Sequence, residues 1–201
     1  MDLIVESVKK IEKMLENCGC EEGDVLLEQN PDVVNCQYER GACMMASFGG
    51  KTAEFVTNNP IQARTKISFM FGAPLDMPKT RSAAGSIVNV VTGFFSLTRI
   101  QHACPLLSHT PCFERFKNEI NGKRIYCIGD MPAIEMNLGT NLATIPEEAD
   151  IIIFNGDGII AKSAGDLIAS FKNSKRILCL GPSVSGIARL NQIEHFCPFG
   201  K

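Results

Sequence analysis

Between Ile100 and Phe113 the chain reads Ile-Gln-His-Ala-Cys-Pro-Leu-Leu-Ser-His-Thr-Pro-Cys-Phe. This stretch holds two of the three His and two of the nine Cys, spaced His102-x-Cys104-x4-His109-x2-Cys112. Imidazole nitrogen and thiolate sulfur are the donors that zinc, iron and iron–sulfur clusters take. The third His repeats the pattern, since His195-Phe-Cys197-Pro198 matches His102-Ala-Cys104-Pro105. Candidate metal ligands are therefore His102, Cys104, His109, Cys112, His195 and Cys197. The spacing matches no zinc-finger formula. The competing role for the same residues is structural, with thiols as small buried apolar groups and loop imidazoles bonded locally. Cys18-Gly-Cys20 is a further close pair, read as loop thiols.

The elements around this stretch must position it. Pro105 and Pro111 lack the N–H that a helix interior needs, so 100–112 is expected to be a loop at a seam between two halves. Upstream, Ile4, Val8, Ile11 and Leu15 recur at helical spacing and predict an amphipathic helix over 2–17. Val33–Tyr38, Ala42–Phe48 and Thr52–Thr57 read as three short strands of a meander, with Arg40-Gly41 and Gly49-Gly50 as turns. Residues 61–71 fit helix or strand. Residues 79–95 form a helix apolar nearly all round, hence buried. On it Gly85, Asn89 and Gly93 share one stripe, which predicts close packing or, at Asn89, a side chain facing the crevice between the halves.

Downstream the pattern becomes strand–glycine–helix. Arg124–Ile128, Ile151–Phe154 and Lys175–Leu180 are continuous apolar runs, Asn141–Ile145 is a weaker one, and helices are expected over 113–121, 162–172 and 184–192. Such alternation predicts a parallel sheet covered on both faces. The fold class is thus α/β. An N-terminal α+β part, 1–98, and a His/Cys-rich connector, 99–121, precede a Rossmann-like half, 122–201.

Three of those strands end in Gly129-Asp130, Asn155-Gly-Asp157-Gly and Gly181-Pro-Ser183. Ligands of open α/β sheets bind outside the carboxyl ends of the strands. Asp130, Asn155, Asp157, Gly181 and Ser183 would line that rim together with Asn89. A helix start beside them could hold a phosphate or carboxylate. The same residues also suit turns and caps. No Gly-x-Gly-x-x-Gly follows the first of these strands and no Walker lysine follows any glycine loop, so the usual dinucleotide and nucleotide-hydrolysis signatures are missing.

Composition narrows the classes further. The chain has 201 residues, 45% hydrophobic, and a formal net charge of −2 without any Lys/Arg run. That balance argues against a nucleic-acid surface. No apolar window is long enough for a membrane span and the N-terminus has no signal-like pattern, so a cytoplasmic protein is expected. In a reducing interior nine cysteines are thiols rather than a disulfide framework. Cys127 and Cys179, inside apolar runs, are expected in the core.

Gly122-Lys-Arg-Ile-Tyr-Cys-Ile-Gly-Asp-Met-Pro132, Glu148-Ala-Asp-Ile-Ile-Ile-Phe-Asn-Gly156 and Leu178-Cys-Leu-Gly-Pro-Ser183 resemble the Rossmann-like C-terminal domain of a heavy-metal-chelation family whose function is not established. The helix Arg81-Ser-Ala-Ala-Gly-Ser-Ile-Val-Asn89 is similar to that family's Gly-x-Ala-x-x-Asn helix. Asp130-Met131-Pro132 departs from the family's usual His-Phe-Pro, which weakens any carried-over His role. The resemblance implies an enolase-like N-terminal part and a site between the domains faced by Asn89, Asp130, Asn155, Gly181, Pro182 and Ser183. The 102–112 segment is not part of the pattern.

Three functions stand open at this stage. The first is a metal or metallocofactor binder with the ion in the crevice. The second is an enzyme or binding protein for a small anionic metabolite held at the glycine-rich strand ends. The third is a homodimeric interaction protein with a vestigial crevice.

Overall fold

The computed structural model describes residues 1–38 and 42–201. The expected Arg40-Gly41 turn lies outside them. The chain begins with α1 (Leu3–Leu15), whose Ile4, Val8, Ile11 and Leu15 are buried as the spacing predicts. An antiparallel sheet follows, made of β1 (Asp24–Gln29), β2 (Met44–Phe48), β3 (Lys51–Phe55) and β4 (Ala63–Lys66) in the order β3-β2-β1-β4. Helix α2 (Pro78–Phe94) packs on it. After α3 (His109–Ile120) comes the second sheet, β5 (Ile125–Ile128), β6 (Ile151–Phe154), β7 (Arg176–Leu180) and β8 (Glu194–Phe196), parallel in the order β5-β6-β7-β8. Its connections carry α4 (Pro132–Leu138), α5 (Gly156–Ile159), α6 (Ala164–Phe171) and α7 (Ser185–Asn191). Two sheets of opposite type, with helices, make the α/β fold of two parts.

The central strand β6 is buried at every residue, which is why it reads as an unbroken Ile-Ile-Ile-Phe run. Fully burying each such side chain is worth roughly 1.5–3 kcal/mol. One hydrophobic cluster runs from Leu3 and Ile11 through Phe55 and Val88 to Phe154 and Ile187, so both sheets share a core. Helix α2 is central to it. Its Gly85 would bring a Cβ within 2.8 Å of Phe55 and 3.0 Å of Ile160, so only glycine lets both halves approach there.

Several expected elements differ. Residues 33–38 are a turn and not a strand, because the Asn35 side chain accepts from the Gln37 and Tyr38 N–H groups at 3.0 and 3.1 Å. The strand that pairs with β2 is instead β1, upstream. Residues 141–145 contribute only an isolated bridge, Ile125 to Leu142. Residues 63–66 are strand and 67–70 a 3₁₀ turn. The 100–112 segment is loop only as far as Ser108, because Pro111 falls in the first turn of α3, where its missing N–H costs nothing. Among the described residues no helix is long and apolar enough to cross a membrane.

Candidate functional site

The strand ends β5, β6 and β7 meet the antiparallel part along a polar rim. At its centre Asn155 is completely buried. Its Oδ1 accepts from Gly158 N at 2.9 Å, capping α5, and its Nδ2 donates to Asp130 O at 2.6 Å. Gly129, at φ +94°, has no room for a side chain, since a Cβ would lie 1.9 Å from Asn155 Oδ1. Asp130 O also accepts from the Tyr38 hydroxyl, and Asp130 Oδ2 from Asn58 Nδ2 at 2.9 Å. Asp157 accepts from the Thr57 hydroxyl at 2.5 Å and from Asn58 N at 2.8 Å. Burial, reinforced by the nearby Asp130 charge, holds the Asp157 carboxyl above its ordinary range. Burial and the two carboxylates likewise push the Tyr38 phenol up.

Asn89, Gly181 and Ser183 form the other end of the rim, and there the polar atoms serve the fold. Asn89 Nδ2 donates to Pro182 O at 3.2 Å, while its Oδ1 accepts from the Ser185 hydroxyl at 2.7 Å and from Gly186 N at 2.9 Å. The Ser183 hydroxyl accepts from Val56 N at 2.6 Å. Gly181, at φ +92°, lies under Gln37, whose Nε2 donates to Leu180 O at 2.9 Å. The charge of the rim does not suit an anion. It carries two carboxylates, and the cations beside Asp157, Arg81 and Lys162, are paired with Asp2 and Asp76.

The His/Cys residues separate into two groups. His102 turns to β3, with Nε2 3.0 Å from the Thr52 hydroxyl and Nδ1 3.8 Å from Glu54. The Glu54 partner raises its pKa. His195 Nε2 lies 2.7 Å from Gly181 O, and burial lowers its pKa. His109 Nε2 is 3.3 Å from Cys104 O. The thiols converge instead. Cys104 and Cys112 lie near enough to Cys36, in the Asn35 turn, and to each other for each to shift the others' titration. Cys36 is pushed well above the usual thiol range as the donor to both, while Cys104 is lowered to about 7 by accepting from it. Cys112 is lowered for the same reason. Cys197 is close enough to sense both, and burial with their charges pushes it up to about 12.

Backbone pairing explains how segments so far apart meet. Lys201 N donates to His102 O at 3.0 Å and Lys201 O accepts from His102 N at 2.6 Å, which fixes the tail that carries Cys197 beside Cys104. Gly200 keeps the two close, because a Cβ there would lie 2.7 Å from Cys197 Sγ. Helix α3 supplies Cys112, and Phe116 one turn later anchors it in the core of the parallel sheet. Among the described residues no group of three or more His, Cys, Asp or Glu side chains is disposed to hold a metal ion.

A protein of unknown function from the DUF364 family of Pyrococcus horikoshii has a similar structure, at TM-score 0.51 and 16% identity over 91% of this chain and 80% of that one. This chain shares its fold. A second DUF364-family protein of unknown function, from Desulfitobacterium hafniense, aligns at TM-score 0.49 and 15% identity over 93% of this chain and 82% of that one. No family model and no curated protein matches the sequence. The likeness is to uncharacterised proteins and carries no statement about chelation.

Sequence reasoning missed Cys36, Tyr38 and Asn58. Cys36 was hidden in an expected strand. The Asn-Cys-Gln-Tyr order was the available signal, since Asn favours a turn that accepts backbone N–H groups.

Proposed function

We propose that this protein binds a thiophilic metal, as a zinc ion or an iron–sulfur cluster, through Cys36, Cys104 and Cys112 with Cys197 as fourth donor. The observation that carries the reading is that Cys36 and Cys112, from separate segments, line one cavity, with Cys104 near enough to shift the titration of both. Metal binding to thiols releases protons, so a lowered pKa favours it near neutral pH. His109, beside Cys104, is the nearest imidazole of the set. The twin His-x-Cys-Pro motif contributes through its cysteines, while His102 and His195 hold loop and strand in place.

The test is anaerobic reconstitution of the purified protein, once with zinc and once with iron and sulfide, followed by elemental analysis. The reading expects one zinc or one cluster per chain in wild type, and a large loss in Cys36→Ser, Cys104→Ser and Cys112→Ser. Cys18→Ser, far from the cluster in sequence and exposed, should load as wild type does. Equal loading in all four variants would end the proposal.

A further inference from the structure

Past the end of α1, Asn17 and Gly19 are both left-handed, at φ +63° and +76°. The turn leaves Cys18 exposed and Cys20 partly exposed. It also brings Cys20 N–H to Cys18 Sγ, donating at 3.4 Å. A thiolate holds such a donor more strongly than a thiol does. Rotation about the Cys20 Cα–Cβ bond carries its sulfur around that same nitrogen. The Cys20 pKa is raised, first of all by the Cys18 sulfur beside it. A side chain at Gly19 would meet nothing within 4 Å, so a reagent can approach from that side. The charge around the pair is negative. The Cys18 thiol donates to Glu21 Oε2 at 3.8 Å, and the carbonyl end of α1 adds its partial negative charge. Lys66 reaches Glu22 at 2.6 Å and is neutralised there, and Glu16 and Glu21 outweigh Lys13, the base in the last turn of α1.

We propose that Cys18 and Cys20 are a redox dithiol, oxidised to an intramolecular disulfide by small neutral or cationic disulfides in preference to anionic ones. The Cys18 thiolate attacks one sulfur of the reagent RSSR, which forms a mixed disulfide on Cys18 and releases RS⁻. The Cys20 thiol then loses its proton and attacks Cys18 Sγ. That closes the Cys18–Cys20 bond and releases the second RS⁻. The two thiol protons end on the two RS⁻ groups, so one RSSR is reduced to two RSH as the dithiol is oxidised. Excess RSH reverses both steps, and exposed disulfides are the labile ones. The proposal stands apart from the metal reading, which uses other cysteines, so either can fail alone.

The test treats reduced protein without added metal with cystamine, a cationic disulfide, at low salt. Samples are quenched in acid, alkylated, cleaved at glutamate and weighed by mass spectrometry. Cleavage after Glu16 and Glu21 gives the peptide Asn17–Glu21, which holds Cys18 and Cys20 and none of the other thiols. It should appear with an internal disulfide in wild type. Cys20→Ser should stop at the cysteamine adduct on Cys18. Dithiodipropionate is the anionic reagent. Its leaving thiol differs from that of cystamine, so Glu21→Gln decides the charge part. That variant should narrow the rate ratio of cystamine to dithiodipropionate at least about twofold at low salt. Its peptide runs on to Glu22. The proposal is overturned if the wild-type peptide stays a dithiol, if it keeps the cysteamine adduct without closing, or if Glu21→Gln leaves the rate ratio unchanged.

Discussion

At Asn89 every hydrogen-bonding atom of the side chain is matched to a fixed partner across the two halves, whereas near Cys104 three thiols, two of them lining a cavity, shift one another's titration. The first region is a completed joint. The second is a set of donors with replaceable partners. Both sit where the antiparallel part meets the parallel sheet, and both were candidate sites by residue type alone. The difference teaches that a buried amide whose bonds are all intramolecular has little left for a ligand, while soft donors that satisfy only one another can exchange a proton for a metal.

The comparison breaks most visibly at Asn89. Asn89→Ala orphans Gly186 N, while the Ser185 hydroxyl keeps Ile100 O and Pro182 O keeps Ser185 N, and should cost about 2–3 kcal/mol in urea unfolding. Metal loading of whatever fraction stays folded should be unaffected. If Asn89→Ala unfolds like wild type, the joint is not what holds the halves. Asn155→Ala removes one helix cap and one bond to Asp130 O, and should cost about 1–2 kcal/mol by the same measurement.

On the thiol side, Cys36→Ala should change stability by about 1 kcal/mol or less. Its effect should appear in titration instead. Cys104 is lowered to about 7 chiefly by the Cys36 hydrogen bond. Removing that donor should raise the pH at which thiolate absorbance appears. An unchanged profile would show that the trio does not interact. The linkage sign follows from the depressed pKa. The stability that Cys104 contributes is complete above the unfolded thiol value and fades as pH falls through about 7.

The smallest effect is expected at Asp157. Its carboxyl is raised, mainly by burial, so folding favours the protonated form and this group adds stability as pH falls towards and below the unfolded carboxyl range. Asp157→Asn should erase that part of the acid-side pH dependence. An identical pH profile in the variant would mean the carboxyl is solvated.

The sequence made the parallel sheet plain because Ile151–Phe154 and Leu178–Leu180 are buried on both faces and leave no polar alternation to confuse. Strand β1 was overlooked because Asp24 and Glu28, on its outer face, continue an acid-rich stretch, although Val25 and Leu27 between them are buried. Cys104 and Cys197 were legible as a pair from the repeated motif, and Cys112 from its spacing to His109. Cys36 was not, since it reaches them only through the turn set by Asn35. The partners that the imidazoles take in the fold were not legible. Thr52, Glu54 and Gly181, distant in sequence, supply the partners of His102 and His195.

Metal K-edge absorption of the reconstituted protein bears most directly on the thiol corner. A shell dominated by sulfur at about 2.3 Å is expected in wild type, with one sulfur fewer in Cys36→Ser. A shell of nitrogen and oxygen alone, or a sulfur count that Cys36→Ser leaves unchanged, would contradict the assignment.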